Sequence, residues 1–69
     1  MEELQVALNG KEEVVEAQMS LLNFLLGKGL NPETIIVEHN EKIVKKDEWC
    51  SVFLQDKDRL EVLNFVGGG

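Results

Sequence analysis

The stretch that decides the fold is Leu4-Gln5-Val6-Ala7-Leu8-Asn9-Gly10-Lys11-Glu12-Glu13-Val14-Val15-Glu16. Leu4, Val6 and Leu8 alternate with Gln5 and Ala7, the period-two pattern of a strand with one buried face. Asn9-Gly10 follows at once, and this dipeptide accepts the positive φ values of a type I′ turn. The chain then returns over Lys11 to Glu16, with Val14 and Val15 as the apolar content of a second strand. The sequence therefore opens with a β-hairpin.

Working outward, Ser20 precedes Leu21, Phe24 and Leu25, which share one helical face at i, i+3 and i+4. A serine hydroxyl caps a first-turn amide well. Gly27, Gly29 and Asn31-Pro32 stop the helix, so it is expected over Ser20 to Lys28. Thr34 to Glu38 is β-branched and apolar and reads as an interior strand. Asn40-Glu41 turns the chain into a brief strand, Lys42 to Val44. Lys46 to Trp49 reads as a short helical turn. Val52 and Leu54, alternating with Ser51, Phe53 and Gln55, read as another strand. Asp56-Lys57-Asp58 is a polar turn, and Arg59 to Val66 is the last strand.

An order of hairpin, helix, strand, short strand and strand predicts an α+β domain with one helix packed across one face of a mixed four- to five-stranded sheet. This is the β-grasp, or ubiquitin-like, arrangement. In that fold the first and last strands lie side by side at the centre, and the C-terminus projects from the sheet. Residues 1–66 are expected to form the domain, and residues 67–69 a flexible glycine tail.

Composition narrows the function. The 69 residues carry a net charge of −6, with 13 Asp and Glu against 7 Lys and Arg. Such a surface repels phosphate backbones, so nucleic acid is an unsuitable partner and a protein with a basic face a better one. No apolar run approaches the ~20 residues that span a bilayer. Met1-Glu2-Glu3 is acidic where a secretory leader needs basic residues. The single Cys50 excludes an internal disulfide and suits a cytoplasmic setting.

The three glycines that close Phe65-Val66-Gly67-Gly68-Gly69 have no use in folding, because they have nothing to bury and lose the most backbone freedom when ordered. A slim tail ending in an unhindered carboxylate can enter a narrow site on another protein, reaching roughly 10 Å over three extended residues. A frayed terminus is the plain alternative.

Leu8-Asn9-Gly10-Lys11, Ile36-Val37-Glu38-His39-Asn40, Asp56-Lys57-Asp58-Arg59 and the closing Phe65 to Gly69 together resemble the ThiS family of sulfur carriers in thiamin thiazole synthesis. The resemblance covers nearly the whole chain in the same order, with Glu12 to Leu30 departing most. It implies that Gly69 is the site of adenylation and thiocarboxylate formation, and that Gly67 and Gly68 give it reach. It implies as partners a ThiF-like adenylyltransferase that uses ATP and Mg, a sulfur donor protein and a ThiG-like thiazole synthase. The carrier itself would bind no cofactor or metal, catalyse nothing and be a monomer when free. Related readings are a MoaD-like carrier for molybdopterin synthesis, a ubiquitin-like modifier joined to lysines, and an interaction module with an inert tail.

Strand alternation also suggests a docking face. If Leu60 and Val62 face the helix, Leu63 and Phe65 point outward. Val52 and Leu54 inward likewise put Phe53 outward. The three would make an apolar patch beside the tail, unless a bulge exchanges the faces. Other chemistry is less promising. Cys50 has no base nearby and reads as a small, partly buried hydrophobe. His39 reads as solvent-facing, and Glu12-Glu13 and Asp56/Asp58 as turn caps rather than an acid–base pair. So small a fold also has little volume for a substrate cavity.

Overall fold

The computed structural model describes residues 2–65. Strands β1 (Glu3–Leu8) and β2 (Lys11–Glu16) form the antiparallel hairpin, with Leu8 opposite Lys11 and Glu3 opposite Glu16. Asn9 and Gly10 take φ values of 51° and 83°, the pair of left-handed conformations that a type I′ turn requires.

Helix α1 (Leu21–Gly27) begins at Ser20, whose Oγ accepts from the Asn23 N–H at 3.1 Å. It ends in a Schellman motif: Leu30 N donates to Leu25 O at 3.2 Å and Gly29 N to Leu26 O at 3.0 Å. That geometry needs the φ of 78° at Gly29, which glycine adopts without strain. Lys28 Nζ, just past the helix, donates to Glu13 Oε1 at 2.8 Å and ties it to β2. This bond holds the Glu13 carboxyl below its ordinary pKa.

A 3₁₀ turn, Pro32–Thr34, leads into β3 (Ile35–His39), and β4 (Lys42–Val44) returns antiparallel to it. A second 3₁₀ helix, Lys46–Ser51, packs against α1, and β5 (Arg59–Asn64) completes the sheet. The strand order is β2-β1-β5-β3-β4. β5 is central, parallel to β1 at Ala7–Arg59 and Leu8–Leu60 and antiparallel to β3 from Ile35–Asn64 to His39–Leu60. This is the β-grasp arrangement, with five strands.

The inward rows of the sheet meet α1 in one core. Val6, Val15, Ile35, Val37 and Leu60 come from the strands, Leu21, Phe24 and Leu25 from the helix, and Trp49 and Leu54 from the connection to β5. Trp49 is 1% exposed, and its Nε1 donates to Val44 O at 2.9 Å.

One expected strand is absent from the ladder. Val52 to Leu54 is extended and alternates as predicted, but it makes only an isolated bridge, Phe53 with Ser20. Its hydrogen bonds go to the start of the helix: Leu21 N donates to Val52 O at 2.7 Å and Leu54 N to Met19 O at 2.9 Å. With those groups taken, the segment latches α1 instead of joining the sheet.

Candidate functional site

The outward face of the sheet carries most of the large exposed apolar residues. Leu63 is 62% exposed, Phe65 43% and Ile36 42%. Leu63 lies directly opposite Ile36 across β5 and β3, and Phe65, two residues on, shares its side of the strand. Phe65 N donates to Thr34 O at 2.8 Å, so the turn that leads into β3 holds the chain one residue beyond the end of β5. Ile43 on β4 lies opposite Glu38, diagonal to Ile36 on the same face. Leu63, Phe65 and Ile36 thus form an apolar strip where the chain departs toward Val66. Gly67, Gly68 and Gly69 lie outside the described residues.

Phe53 is exposed but stands apart from this strip. It lines a shallow cleft of about 380 Å³ with Glu2, Leu4, Ala17, Gln18, Leu54 and Gln55, at the start of β1. Since Ala7 is level with Arg59 and the two strands run parallel, Leu4 and Phe65 are separated by roughly 30 Å along the strand direction. The patch expected from three residues therefore contains Leu63 and Phe65 without Phe53. Alternation gave the outward direction of Phe53 but not its level in the fold. Ile36 and Ile43 complete the face. Ile36 was readable as the outward residue between Ile35 and Val37, and Ile43 as the middle of a short edge strand.

The polar candidates resolve into structure. His39 is half-buried rather than solvent-facing, because its Nε2 meets Asp58 Oδ2 at 2.7 Å. Asp58, only 5% exposed, also accepts from Asn40 Nδ2 at 3.0 Å and Gln55 N at 2.8 Å. Asp56 Oδ1 accepts from Gln5 N at 2.9 Å. Cys50 is exposed, not partly buried. On a 3₁₀ helix of three residues per turn, a buried Trp49 directs its neighbour outward. Among the described residues no group of three or more His, Cys, Asp or Glu side chains is placed to hold a metal, and no helix is long and apolar enough to cross a membrane.

Burial of Asp58 opposes its charge, but the hydrogen bonds from His39, Asn40 and the Gln55 amide, with the charge of His39, outweigh it and lower its pKa. A lowered folded pKa means stability that is complete above the ordinary carboxylate range and is lost as pH falls through the folded value. Urea unfolding measured from pH 7 to pH 2 is expected to show that acid loss. Asp58→Asn should cost about 1–3 kcal/mol at neutral pH and flatten the acid limb. An unchanged limb would assign it to other carboxylates.

A central last strand and one covering helix, with an apolar strip at the strand's end, define a ubiquitin-like β-grasp domain. The comparisons narrow this class. The model of the ThiS family matches residues 2–69. The sulfur carrier protein ThiS of Bacillus subtilis is 36% identical over 63 residues, covering 90% of this chain and 96% of that protein. The crystal structure of the thiamine biosynthesis protein ThiS from Geobacter metallireducens superposes with a TM-score of 0.83 at 25% identity, covering 96% of this chain and all of that one. A thiazole synthase of Magnetococcus marinus is 38% identical over 66 residues, and the chain spans about one fifth of its length. The chain belongs to the ThiS family.

Proposed function

We propose that this chain is a sulfur carrier of thiamine biosynthesis, whose Gly69 carboxylate is adenylated and then converted to a thiocarboxylate. The observation that carries the reading is a family match running through residue 69, so that it takes in the terminal glycines. An α-carboxyl has a pKa of about 3.5, so Gly69 is ionised at neutral pH and resists nucleophiles. Transfer to AMP, with loss of pyrophosphate from ATP, gives it a leaving group. Sulfur at the sulfide level then displaces AMP and leaves –COSH. A separate ThiF-like adenylyltransferase supplies ATP, Mg and the catalytic groups, and a sulfur donor protein supplies the sulfur. The carrier contributes the carboxylate and a recognisable surface. It acts in the cytoplasm as a monomer, residues 1–66 forming the domain and Gly67 and Gly68 giving Gly69 its reach.

The acceptor in this reading is a thiazole synthase. Its support is that relatives named thiazole synthase contain a segment like this chain within one polypeptide, where a tether raises the effective concentration of one part for the other. The test is incubation with the activating enzyme, ATP and a sulfur source, followed by mass spectrometry. A gain of about 16 Da, oxygen exchanged for sulfur, is expected on the intact chain. Co-purification with a molybdopterin-synthase large subunit, and not with a thiazole synthase, would redirect the pathway.

Leu63 and Phe65, with Ile36, are the proposed docking strip. Glu38 and Glu61 face each other next to it across β3 and β5. Like charges directly opposite are unfavourable in a free sheet and suit a partner with a basic rim. Phe65→Asp is expected to weaken binding to the activating enzyme at least about tenfold, the scale of one buried aromatic contact. Its effect on unfolding should stay within about 0.5 kcal/mol, as at an exposed position. Global unfolding would instead place Phe65 in the core.

A further inference from the structure

Two side chains grip β5, one from the turn of each neighbouring hairpin. Asn9 and Asn40 each follow directly after a strand, and both have φ of 51°. Asn40 N donates to Arg59 O at 2.8 Å, and Asn40 Oδ1 accepts from Arg59 N at 2.8 Å. Asn9 N donates to Leu60 O at 2.8 Å, Asn9 Oδ1 accepts from Val62 N at 2.7 Å, and Asn9 Nδ2 donates to Val62 O at 3.3 Å. The Asn9 carboxamide offers Val62 the acceptor and donor that a strand residue would. It extends the β1–β5 ladder one step beyond its last backbone pair, Leu8–Leu60.

The turn does not need this. A type I′ turn requires only the positive φ, which glycine supplies as well as asparagine. The bonds to Val62 are additional to it. The two grips also differ in place. Asn40 holds the first residue of β5, while Asn9 holds Val62, three residues before Phe65. Among the described residues, later backbone support to this stretch comes from the β3 side, through the β3–β5 ladder and the bond from Phe65 N to Thr34 O. Asn9 is the last support on the β1 side among the described residues.

We infer that Asn9 is a positioning residue for the sulfur-transfer partner: its amide fixes the direction in which the end of β5, up to Phe65, is presented to the activating enzyme. This rests on the sulfur-carrier reading above. Without the amide, the Val62 N–H and C=O turn to water and the end of β5 is held from one side. The fraction of molecules presenting that end productively falls, and apparent affinity falls by that fraction, whereas turnover of the bound complex does not.

Asn9→Gly tests this because it keeps the turn and removes the amide. Asn9→Asp keeps the acceptor for Val62 N but sets a carboxylate oxygen against Val62 O, so it should behave alike. Asn40→Gly is the control, since it loosens β5 at the far end. Each full-length variant is taken through urea unfolding, amide hydrogen exchange and steady-state thiocarboxylate formation. In Asn9→Gly, exchange at Val62 should quicken at least about tenfold beyond the change in global opening. KM for the carrier should rise about five- to tenfold with kcat unchanged. Asn40→Gly should lower stability and leave KM within about twofold of the original. An unchanged KM in Asn9→Gly overturns the inference, and so does an equal rise in Asn40→Gly, which would reduce the effect to stability. Failure of the unaltered chain to gain sulfur would sink the carrier reading and the positioning role together, while Val62 exchange still reports whether the amide holds β5.

Discussion

Deleting Gly69, or Gly68 and Gly69 together, is expected to leave the domain folded and to abolish thiocarboxylate formation. The folding half follows from where the core lies. The ten buried apolar residues of the described chain fall between Val6 and Leu60, and the last described backbone bond reaches only Phe65. Stability should change by less than about 0.5 kcal/mol, as for surface changes away from packed groups. The chemical half follows from reach. Each extended residue removed withdraws the carboxylate by ~3.3–3.6 Å, and a displacement of even about 1 Å from the reacting geometry can cost on the order of 10² in rate. A shortened tail still ends in a carboxylate, so the loss is one of position and not of functional group. Mass spectrometry after incubation with the activating enzyme, ATP and a sulfur source should show the thiocarboxylate on the full chain alone. A truncated chain that gained the same mass would refute the assignment of Gly69, and a truncated chain that unfolded would show the tail to be part of the fold.

How far the sequence reaches can be seen residue by residue. The hairpin was legible because alternation and Asn-Gly agree, and two independent local signals rarely coincide by accident. The helix was legible because Ser20 and Gly29 mark its ends as clearly as the leucines mark its face. The central place of β5 was not contained in its own pattern; it came with the fold that the element order implied. Two kinds of feature were hidden. Val52 to Leu54 alternates like a sheet strand, yet its backbone partners are Met19 and Leu21, a choice made by tertiary contacts that no local pattern records. His39 and Asp58 are 19 residues apart, and only the crossing of β3 beside β5 brings them to 2.7 Å. The docking strip shows the same division. Outward directions came from period two, whereas the separation of Phe53 from Phe65 depends on the register of β1 against β5.

Trp49→Ala is expected to be the most destabilising single change in the described chain. Trp49 sits after Lys45-Lys46-Asp47-Glu48, a setting that reads as solvated, but a 3₁₀ helix repeats every three residues. Trp49 and the half-buried Val52 therefore fall on one side, and Glu48, Cys50 and Ser51 on the others. The indole fills the space between α1 and the end of β4, and its one polar atom is satisfied by Val44 O at 2.9 Å. Removing a buried tryptophan costs about 3–5 kcal/mol, through lost burial and the cavity left behind. A chain of this length has a total stability of roughly 3–10 kcal/mol, scaled per residue. The substitution thus removes a large part of that total, and urea unfolding followed by circular dichroism should show a midpoint shifted far toward zero or no folded baseline at all. Trp49→Phe should recover most of the packing and still lose about 1–3 kcal/mol, because Val44 O is left without its donor. A cost below about 1 kcal/mol for Trp49→Ala would mean that the 3₁₀ helix closes over the gap, and that α1 with the sheet carries the core unaided. Should the larger loss appear, Trp49→Ala and the tail deletion would fail in the sulfur assay for opposite reasons. One would have lost the fold that aims β5, and the other the carboxylate that β5 aims.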